Sequence, residues 1–198
     1  MANTNAPFGC RLHSALSGTV NDQIETAFAG IASADTTTIG YGDPMKRLNT
    51  GYMARWTAST AVSQMAGIFV GCEYLSLSQG KRIRNDRWPG TDAAADVDVL
   101  YYPCNLAIPS KFLIQTDATG VVLADIGANF DIVVGTPSTV TGQSTSYIDV
   151  STLNTTATLP FRLVALASNL MKGNGTQAGA YNLGIFVANV SGAGSTGI

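Results

Sequence analysis

Apolar and polar side chains alternate most clearly in residues 67–75. One side of the alternation holds Ile68, Val70, Cys72 and Tyr74, and the other holds Phe69, Gly71, Glu73 and Leu75. A period of two is that of a β-strand with one buried face. Ser78-Gln79-Gly80 then offers a turn whose glycine tolerates positive φ, and residues 81–87 follow as a more polar partner strand. The pattern predicts a β-hairpin.

Further short runs rich in Val, Ile, Phe and Tyr are separated by Gly, Pro, Ser or Thr clusters. These runs are residues 94–102, 112–116, 131–134, 147–150, 161–166 and 183–190. Trp88-Pro89-Gly90 ends the hairpin that precedes them, because proline cannot donate to a strand ladder. Short strands at such spacing are typical of a β-sandwich or barrel. We predict an all-β fold, a single β-sandwich of jelly-roll type.

The beginning of the chain has a weaker pattern, with short apolar groups between polar and glycine-rich pieces such as Gly40-Tyr41-Gly42-Asp43-Pro44. We predict an extended, irregular amino-terminal arm or edge strands over residues 1–45 and a sandwich domain over residues 46–198. Residues 24–32 and 57–65 are candidate short helices by their alanine content, although neither has an apolar stripe with caps. The glycine-rich residues 191–198 are expected to be mobile or held by a neighbour.

Composition supports the all-β prediction. Charged residues make up 12% of the 198 residues, against about 25% in an average soluble protein. Threonine, serine, asparagine and glycine therefore supply the polar surface, and these residues favour strands and turns. A net charge of -2 and a pI near 5.2 provide no basic field for a phosphate backbone, so nucleic acid is not expected as a partner.

The sequence also makes predictions about the compartment. No stretch approaches the roughly 20 apolar residues of a membrane span, and the start lacks the basic-then-apolar pattern of a signal peptide. We expect a soluble protein made in a cytoplasm, with no membrane partner. Glycosylation sequons are discounted for that reason at Asn154, Asn174 and Asn189. The cysteines are three in number and have no C-x-x-C spacing, so reduced thiols are expected at Cys10, Cys72 and Cys104.

Residues with catalytic or metal-binding chemistry are sparse. His13 is the single histidine, and it lies in the predicted arm, which gives a Ser-His-Asp arrangement little support. Residues 142–146 approach a nucleophile elbow but end in serine, and residues 173–179 resemble a phosphate-binding loop with the wrong spacing. Calcium needs more oxygen ligands than Asp92, Asp96 and Asp98 provide. We predict no enzyme activity and no catalytic, cofactor-binding or metal site.

Positive charge is concentrated on the predicted return strand of the hairpin, at Lys81, Arg82, Arg84 and Arg87, followed by Trp88. Basic residues beside an aromatic residue bind acidic protein faces or nucleic acid. Charges on an edge strand also prevent edge-to-edge pairing between sheets. Protection of a solvated edge, contact with another subunit and nucleic-acid binding are therefore the alternatives, in that order of preference.

Seven short segments carry a resemblance to a known family. They are residues 1–9 (MANTNAPFG), 42–44 (GDP), 67–71 (GIFVG), 87–90 (RWPG), 114–117 (IQTD), 124–129 (ADIGAN) and 141–144 (TGQS). In this order they resemble a family of tailed-phage virion proteins described as structural, decoration or cement proteins. After Gly9 that family usually continues with an aromatic residue and Arg-Pro, where this chain has Cys10-Arg11-Leu12.

The resemblance implies a virion structural protein, synthesised in the bacterial host cytoplasm, that binds the outer surface of an icosahedral capsid. It would cement the capsid by bridging major capsid protein subunits, as a homotrimer rather than a homodimer, with no cofactor. Candidate contacts with the capsid or a neighbouring subunit are Pro7, Phe8, Arg11, Arg82, Arg84, Arg87 and Trp88. Residues 2–12 of the arm are expected to become ordered only against a neighbouring subunit.

Two other classes of function remain open. A virion-surface module that binds glycans of the host envelope would present clustered, exposed aromatic side chains. A glycan hydrolase would need two carboxylates about 5–10 Å apart across a cleft. The sequence alone places no such pair among its 13 acidic residues.

Overall fold

The computed structural model describes residues 3–15, 24–58, 60–104, 110–167 and 179–189. The strands in these ranges are β1 (Arg11–Ala15), β2 (Glu25–Ile31), β3 (Pro44–Arg47), β4 (Met53–Arg55), β5 (Met65–Leu75), β6 (Arg82–Asn85), β7 (Val97–Pro103), β8 (Ser110–Gln115), β9 (Asn129–Val133), β10 (Tyr147–Asn154), β11 (Phe161–Leu166) and β12 (Leu183–Ala188). Single 3-10 turns occur at Val62–Gln64 and Leu123–Asp125. Among the described residues, no helix has the length and apolar character to cross a membrane.

The strands form two antiparallel sheets that pack against each other, which confirms the predicted all-β sandwich. The first sheet has the order β1-β8-β12-β11-β9-β10, and the second has the order β2-β7-β5-β3-β4 with β6 paired to β5. The pair β1 with β8 lies in one sheet and the pair β2 with β7 in the other.

The main core lies between the two sheets. Inward-facing positions of the first sheet supply most of it, and Phe130 packs edge-to-face on Phe186 with ring centroids 5.8 Å apart. The second sheet contributes Met65 and Ile68 from the start of β5. Each fully buried aromatic side chain contributes a large apolar area, so this layer is the main source of stability.

A second core occupies the opposite face of the second sheet. This sheet curls until β2 and β4 approach each other, and its enclosed face holds Met45, Met53 and Val99 among other fully buried residues. Ile39 and Trp88 lie in two loops that close this core. They form an isolated antiparallel β-bridge, in which the backbone N–H of each residue donates to the carbonyl of the other at 2.9 Å. A sheet covered on both faces is apolar on both faces.

The long strand β5 departs from the predicted alternation. The register with β7 shifts between Phe69 and Gly71, so Cys72 and Tyr74 lie on the same face as Phe69, while Ile68 faces the main core. A β-bulge inserts one unpaired residue and inverts the side-chain alternation beyond it. The prediction that Ile68 and Tyr74 share a face was therefore wrong, although the strand itself was predicted correctly.

The hairpin predicted after β5 is confirmed. β5 and β6 pair in antiparallel register from Cys72 opposite Asn85 to Leu75 opposite Arg82, and Gly80 in the turn has φ of 62°. The runs predicted at residues 94–102, 112–116, 131–134, 147–150, 161–166 and 183–190 correspond to β7 to β12. Residue 190 lies outside the described residues, as do the tail at 191–198 and the glycine-rich residues 173–178.

Both candidate helices were wrong. Residues 24–32 contain strand β2, and residues 57–65, of which residue 59 lies outside the described residues, contain only the 3-10 turn Val62–Gln64 before β5 begins. A segment of nine residues is too short for alanine propensity to hold a helix in water. Pairing with β7 supplies β2 with backbone hydrogen bonds, so tertiary structure decides its conformation.

The amino-terminal segment, defined here as residues 3–10, lies against the protein's own domain. The side chain of Gln115 donates to the carbonyl of Thr4 at 2.9 Å and accepts from the backbone N–H of Ala6 at 3.0 Å. Strand β1 then pairs with β8, and β2 and β3 belong to the second sheet. Strands β1 and β2 lie at the edges of the two sheets. The boundary at residue 45 and the ordering of residues 2–12 against a neighbouring subunit stay predictions.

Candidate functional site

Several segments that carry the family resemblance meet at one place, which we call the junction. It joins residues 9–10, the loop at residues 40–43, the start of β5 and the loop at residues 142–146. Gly9 N donates to Ser146 O at 3.1 Å, Cys10 N to Gly42 O at 2.8 Å and Gly42 N to Phe69 O at 2.9 Å. Backbone bonds also link the two loops directly, from Tyr41 N to Gly142 O at 2.9 Å. Segments far apart in sequence thus form one hydrogen-bonded unit.

A buried carboxylate lies at the centre of the junction. Asp43 is fully buried, and its Oδ2 accepts hydrogen bonds from Gly40 N at 2.9 Å and Arg55 Nε at 2.8 Å. Its Oδ1 accepts from the hydroxyl groups of Ser144 and Ser146. Arg55 has only 13% of its side chain exposed and also donates to the carbonyl of Gly135. A buried charge with this many donors holds a unique arrangement of the loops around it.

The thiols near the junction and in the cores stay protonated. Burial raises the pKa of Cys10 well above its usual value, and the nearby Cys104 and Asp43 add to the effect. Burial likewise raises the pKa of Cys72 and of Cys104 to about 12. All three thiols are free in the structure. A nucleophilic or metal-binding cysteine requires the thiolate, so these residues act as small apolar groups.

A cleft of about 310 Å³ opens on the surface of the junction. β5 forms its floor, and its lining includes Arg11, Tyr41, Arg84, Asn85, Asp86 and Gln143. The guanidinium carbon of Arg11 lies 4.7 Å from the ring centroid of Tyr41 and 5.8 Å from that of Phe8. Contact with aromatic faces fixes an arginine side chain through cation–π attraction and stacking. Within the described residues, neither Arg11 nor Arg84 makes an ion pair.

The structure brings together some of the predicted contact residues and separates others. Phe8, Arg11 and Arg84 lie at or beside the cleft. Arg82, two positions from Arg84, instead forms ion pairs with Glu73 and Asp98 across the sheet. Pro7 and Arg87 are half-buried and do not line the cleft.

Among the predicted contact residues, Trp88 differs most clearly from its prediction. It was expected to be a contact residue, but its side chain has 0% exposure. Its ring packs edge-to-face on Tyr74 at a centroid distance of 5.3 Å, and its indole N–H donates to Asp35 O at 3.2 Å. An amphipathic side chain whose polar group is satisfied inside the protein belongs to the core.

The residues considered for catalysis do not form a catalytic arrangement in the described part of the chain. His13 is exposed on edge strand β1, and its Nδ1 lies 3.2 Å from the hydroxyl of the adjacent Ser14. Ser144, from the approximate nucleophile elbow, has 0% exposure and donates to Asp43. A substrate has no access to a hydroxyl group that is enclosed in this way.

The three carboxylates considered for calcium each accept hydrogen bonds from different residues. Asp92 accepts from the hydroxyl of Ser76 and the backbone N–H of Ser78, and these hydrogen bonds lower its pKa. The pKa of Asp96 is lowered by the N–H of Ser33 and the hydroxyl of Tyr52. Asp98 accepts hydrogen bonds from the guanidinium group of Arg82 and from the backbone N–H of Ala29. The described residues contain no group of three His, Cys, Asp or Glu side chains placed to hold a metal ion.

Tyr41, Asp43 and Gln143 were missed as site residues. Gly40-Tyr41-Gly42-Asp43-Pro44 was assigned to the irregular arm, and residues 142–146 were considered only as an approximate nucleophile elbow. In the structure both segments are loops in which a glycine has positive φ, Gly42 in the first and Gly142 in the second. A signal for a shared site was present, since both segments belong to the family resemblance, but nothing in the sequence shows that they touch.

Gly9→Ala is expected to loosen the junction. Gly9 has φ of 73°, and a Cβ there would lie 2.5 Å from Ser144 Cβ and 2.7 Å from Gly42 O. Gly80→Ala is the matched control, because Gly80 also has positive φ, 62°, but its Cβ would meet nothing within 4 Å. We expect Gly9→Ala to lower the free energy of unfolding by about 1–3 kcal/mol more than the control does. Urea unfolding of both variants measures the difference, and equal losses would contradict the close packing described here.

No protein-family model, curated protein or solved structure matches this chain.

Proposed function

We propose that this chain is a structural protein of a tailed-phage head, made in the cytoplasm of the bacterial host, that binds the outer capsid surface. In this proposal it acts as a homotrimer and cements the head by bridging major capsid protein subunits. Many symmetric copies bind weakly one by one, and expansion or internal pressure must break several contacts together. The stabilisation is therefore collective.

The observation that carries this proposal is the convergence of the family-like segments. Residues 42–44 are far in sequence from residues 67–71 and 141–144 but hydrogen-bond to both, and Gly9 N donates to Ser146 O beside them. Glycines at these positions have positive φ or leave no room for a side chain, as at Gly9 and Gly42. The resemblance thus rests on residues that depend on one another in space. Interdependent positions are stronger support for kinship than the same number of unrelated turn glycines.

Exposed apolar side chains support a role in binding other proteins. Among the described residues, Val140 has 92%, Phe28 has 82% and Leu123 has 74% of its surface exposed. Val122 and Ile126, on either side of Leu123, are also exposed. Neighbouring exposed apolar residues on a soluble domain commonly mark contact surfaces.

A glycan-binding module of the virion surface is the second candidate, and the cleft favours it in part. Tyr41, Asn85, Asp86 and Gln143 are the kinds of side chain that bind sugars. However, the Arg11 guanidinium lies over the Tyr41 ring at 4.7 Å, which occupies an aromatic face that a sugar would need for stacking. We therefore place this candidate second.

The test is to mix the purified protein with purified heads that lack it, sediment the heads and image them by cryo-electron microscopy with icosahedral averaging. The proposal expects ordered extra density at three-fold or two-fold positions, and heads that survive stronger heating. Protein left in the supernatant beside bare heads would contradict it. Binding of the same protein to isolated host envelopes would then support the glycan-binding candidate.

A further inference from the structure

We infer that the cleft is a binding site for an acidic peptide segment of a partner protein. A carboxylate of that segment binds Arg11 and Arg84, and a backbone N–H donates to Gln143 Oε1. The proposed function bears on this inference only by identifying the partner as the major capsid protein. The recognition chemistry itself follows from the residues of the cleft.

The two arginines differ from their neighbour in having no counter-ion. In the register of the hairpin Glu73 lies opposite Arg84, but its Oε1 bonds Arg82 Nε at 2.6 Å. Arg82 also donates to Asp98, so Glu73 and Asp98 are both paired with Arg82. Arg84 and Arg11 therefore face the cleft with no ion pair to another described residue. Arginine is the residue best suited to bind a planar carboxylate with two hydrogen bonds.

Arg11 is also held in position before any ligand arrives. The rings of Tyr41 and Phe8 both lie within 6 Å of its guanidinium carbon, at 4.7 and 5.8 Å. A long side chain that is already fixed loses less conformational entropy on binding, which increases affinity. The family-like opening segment supplies Phe8, so the docked amino-terminal segment forms part of this binding site.

A second polar group in the cleft requires a donor. Gln143 Oε1 is buried and has no hydrogen-bond partner among the described residues. A buried acceptor without a donor is unfavourable, and rotation of the partly exposed Gln143 side chain into the cleft lets a ligand N–H remove that cost. The ligand must therefore present a carboxylate and an N–H within one small region, as a peptide does. The exposed carboxylate of Asp86 at the same cleft repels each further negative charge, so the site favours a single carboxylate over a polyanion such as nucleic acid.

The inference can be tested without heads, by nuclear magnetic resonance of the full chain. The probe is a capped pentapeptide containing one aspartate and one glutamate, and the control peptide has asparagine and glutamine in their places. We expect the acidic peptide to shift the side-chain resonances of Arg11, Arg84 and Gln143, with an affinity that falls as salt is raised. We expect no shifts at these positions with the control peptide. Shifts spread evenly over all arginines, or none, would overturn the inference.

Matched variants sharpen the test. Arg11→Gln and Arg84→Gln are each expected to weaken binding of the acidic peptide about 10-fold. Lys81→Gln changes the net charge equally on the same hairpin, but Lys81 is exposed, does not line the cleft and makes no ion pair with another described residue, so this variant should bind as the unaltered protein does. Arg84 is exposed, so its variant remains informative if Arg11→Gln unfolds the amino-terminal segment. Equal weakening by Lys81→Gln would overturn the inference, because only net charge would matter.

Two further measurements separate this inference from the proposed function. A sulfated oligosaccharide that shifts the same resonances at lower concentration than the peptide would overturn the peptide assignment in favour of a glycan. Sedimentation with heads provides the second measurement. If the unaltered protein and Lys81→Gln bind heads while Arg84→Gln does not, both proposals stand. If all three bind equally, the cleft inference fails for that partner and the proposed function stands.

Discussion

Replacing Asp43 by alanine is expected to lower the free energy of unfolding by about 3–5 kcal/mol, because one partner of a buried ion pair is removed. Asp43 has 0% exposure, and Arg55 has 13% of its side chain exposed. Without the carboxylate, the guanidinium group lies partly buried without a counter-ion. The hydroxyl groups of Ser144 and Ser146 lose their shared acceptor as well. A loss of this size is a large fraction of the stability of a typical domain.

The measurement is urea unfolding followed by circular dichroism. Asp86→Ala is the matched control, because Asp86 is exposed and makes no ion pair with another described residue. We expect the control to change the free energy of unfolding by less than about 0.5 kcal/mol. Asp43→Asn, which keeps the shape but not the charge, should be intermediate. If Asp43→Ala were as stable as Asp86→Ala, the junction would not hold the fold in the way proposed.

Trp88→Ala is expected to destabilise the protein by about 3–5 kcal/mol, because it leaves a large cavity in the second core. The indole is fully buried, contacts Tyr74 edge-to-face and donates to Asp35 O. Trp88→Phe keeps most of the ring volume and loses the N–H donor, so a smaller loss, about 1–2 kcal/mol, is expected. The ordering of these two losses identifies packing as the main contribution of this residue.

Chemical unfolding monitored by the fluorescence of Trp56, the other tryptophan, measures both Trp88 variants. The alternative, in which Trp88 contacts another subunit, expects the opposite pattern. Trp88→Ala would then unfold at the same urea concentration as the unaltered protein and would lose binding to heads. That pattern would contradict the buried position of the indole.

The residues of the cleft illustrate how far prediction from sequence extends to function. Arg11 and Arg84 were selected from a resemblance and from a run of basic residues, and the structure places both at one cleft. Arg82 and Trp88 were predicted as contacts from the same run. In the structure Arg82 forms ion pairs with two carboxylates, and Trp88 is buried. The sequence shows charge and residue type, whereas the counter-ion of each arginine depends on which strands lie beside it.

The fold class and most strands could be predicted from the amino-acid pattern alone. Low charge, abundant Thr and Gly, and a period of two led to an all-β sandwich, and the run at residues 161–166 coincides with β11, Phe161–Leu166. These features are local, because a strand's alternation and a hairpin's turn residues lie within a few positions of each other. A strand that is strongly patterned needs no distant partner to be recognised.

The buried face of each strand and the strand that pairs with it depend on the packing of the whole chain. The bulge in β5 moves Tyr74 to the core opposite that of Ile68, and pairing with β7 makes β2 a strand. Asp43 meets Ser144, 101 positions away, and this contact turns a glycine-rich loop into the centre of the junction. A periodic pattern encodes the spacing of side chains along one strand. The pattern does not specify which strand pairs with it across the sheet, because strand pairing depends on the packing of the whole chain.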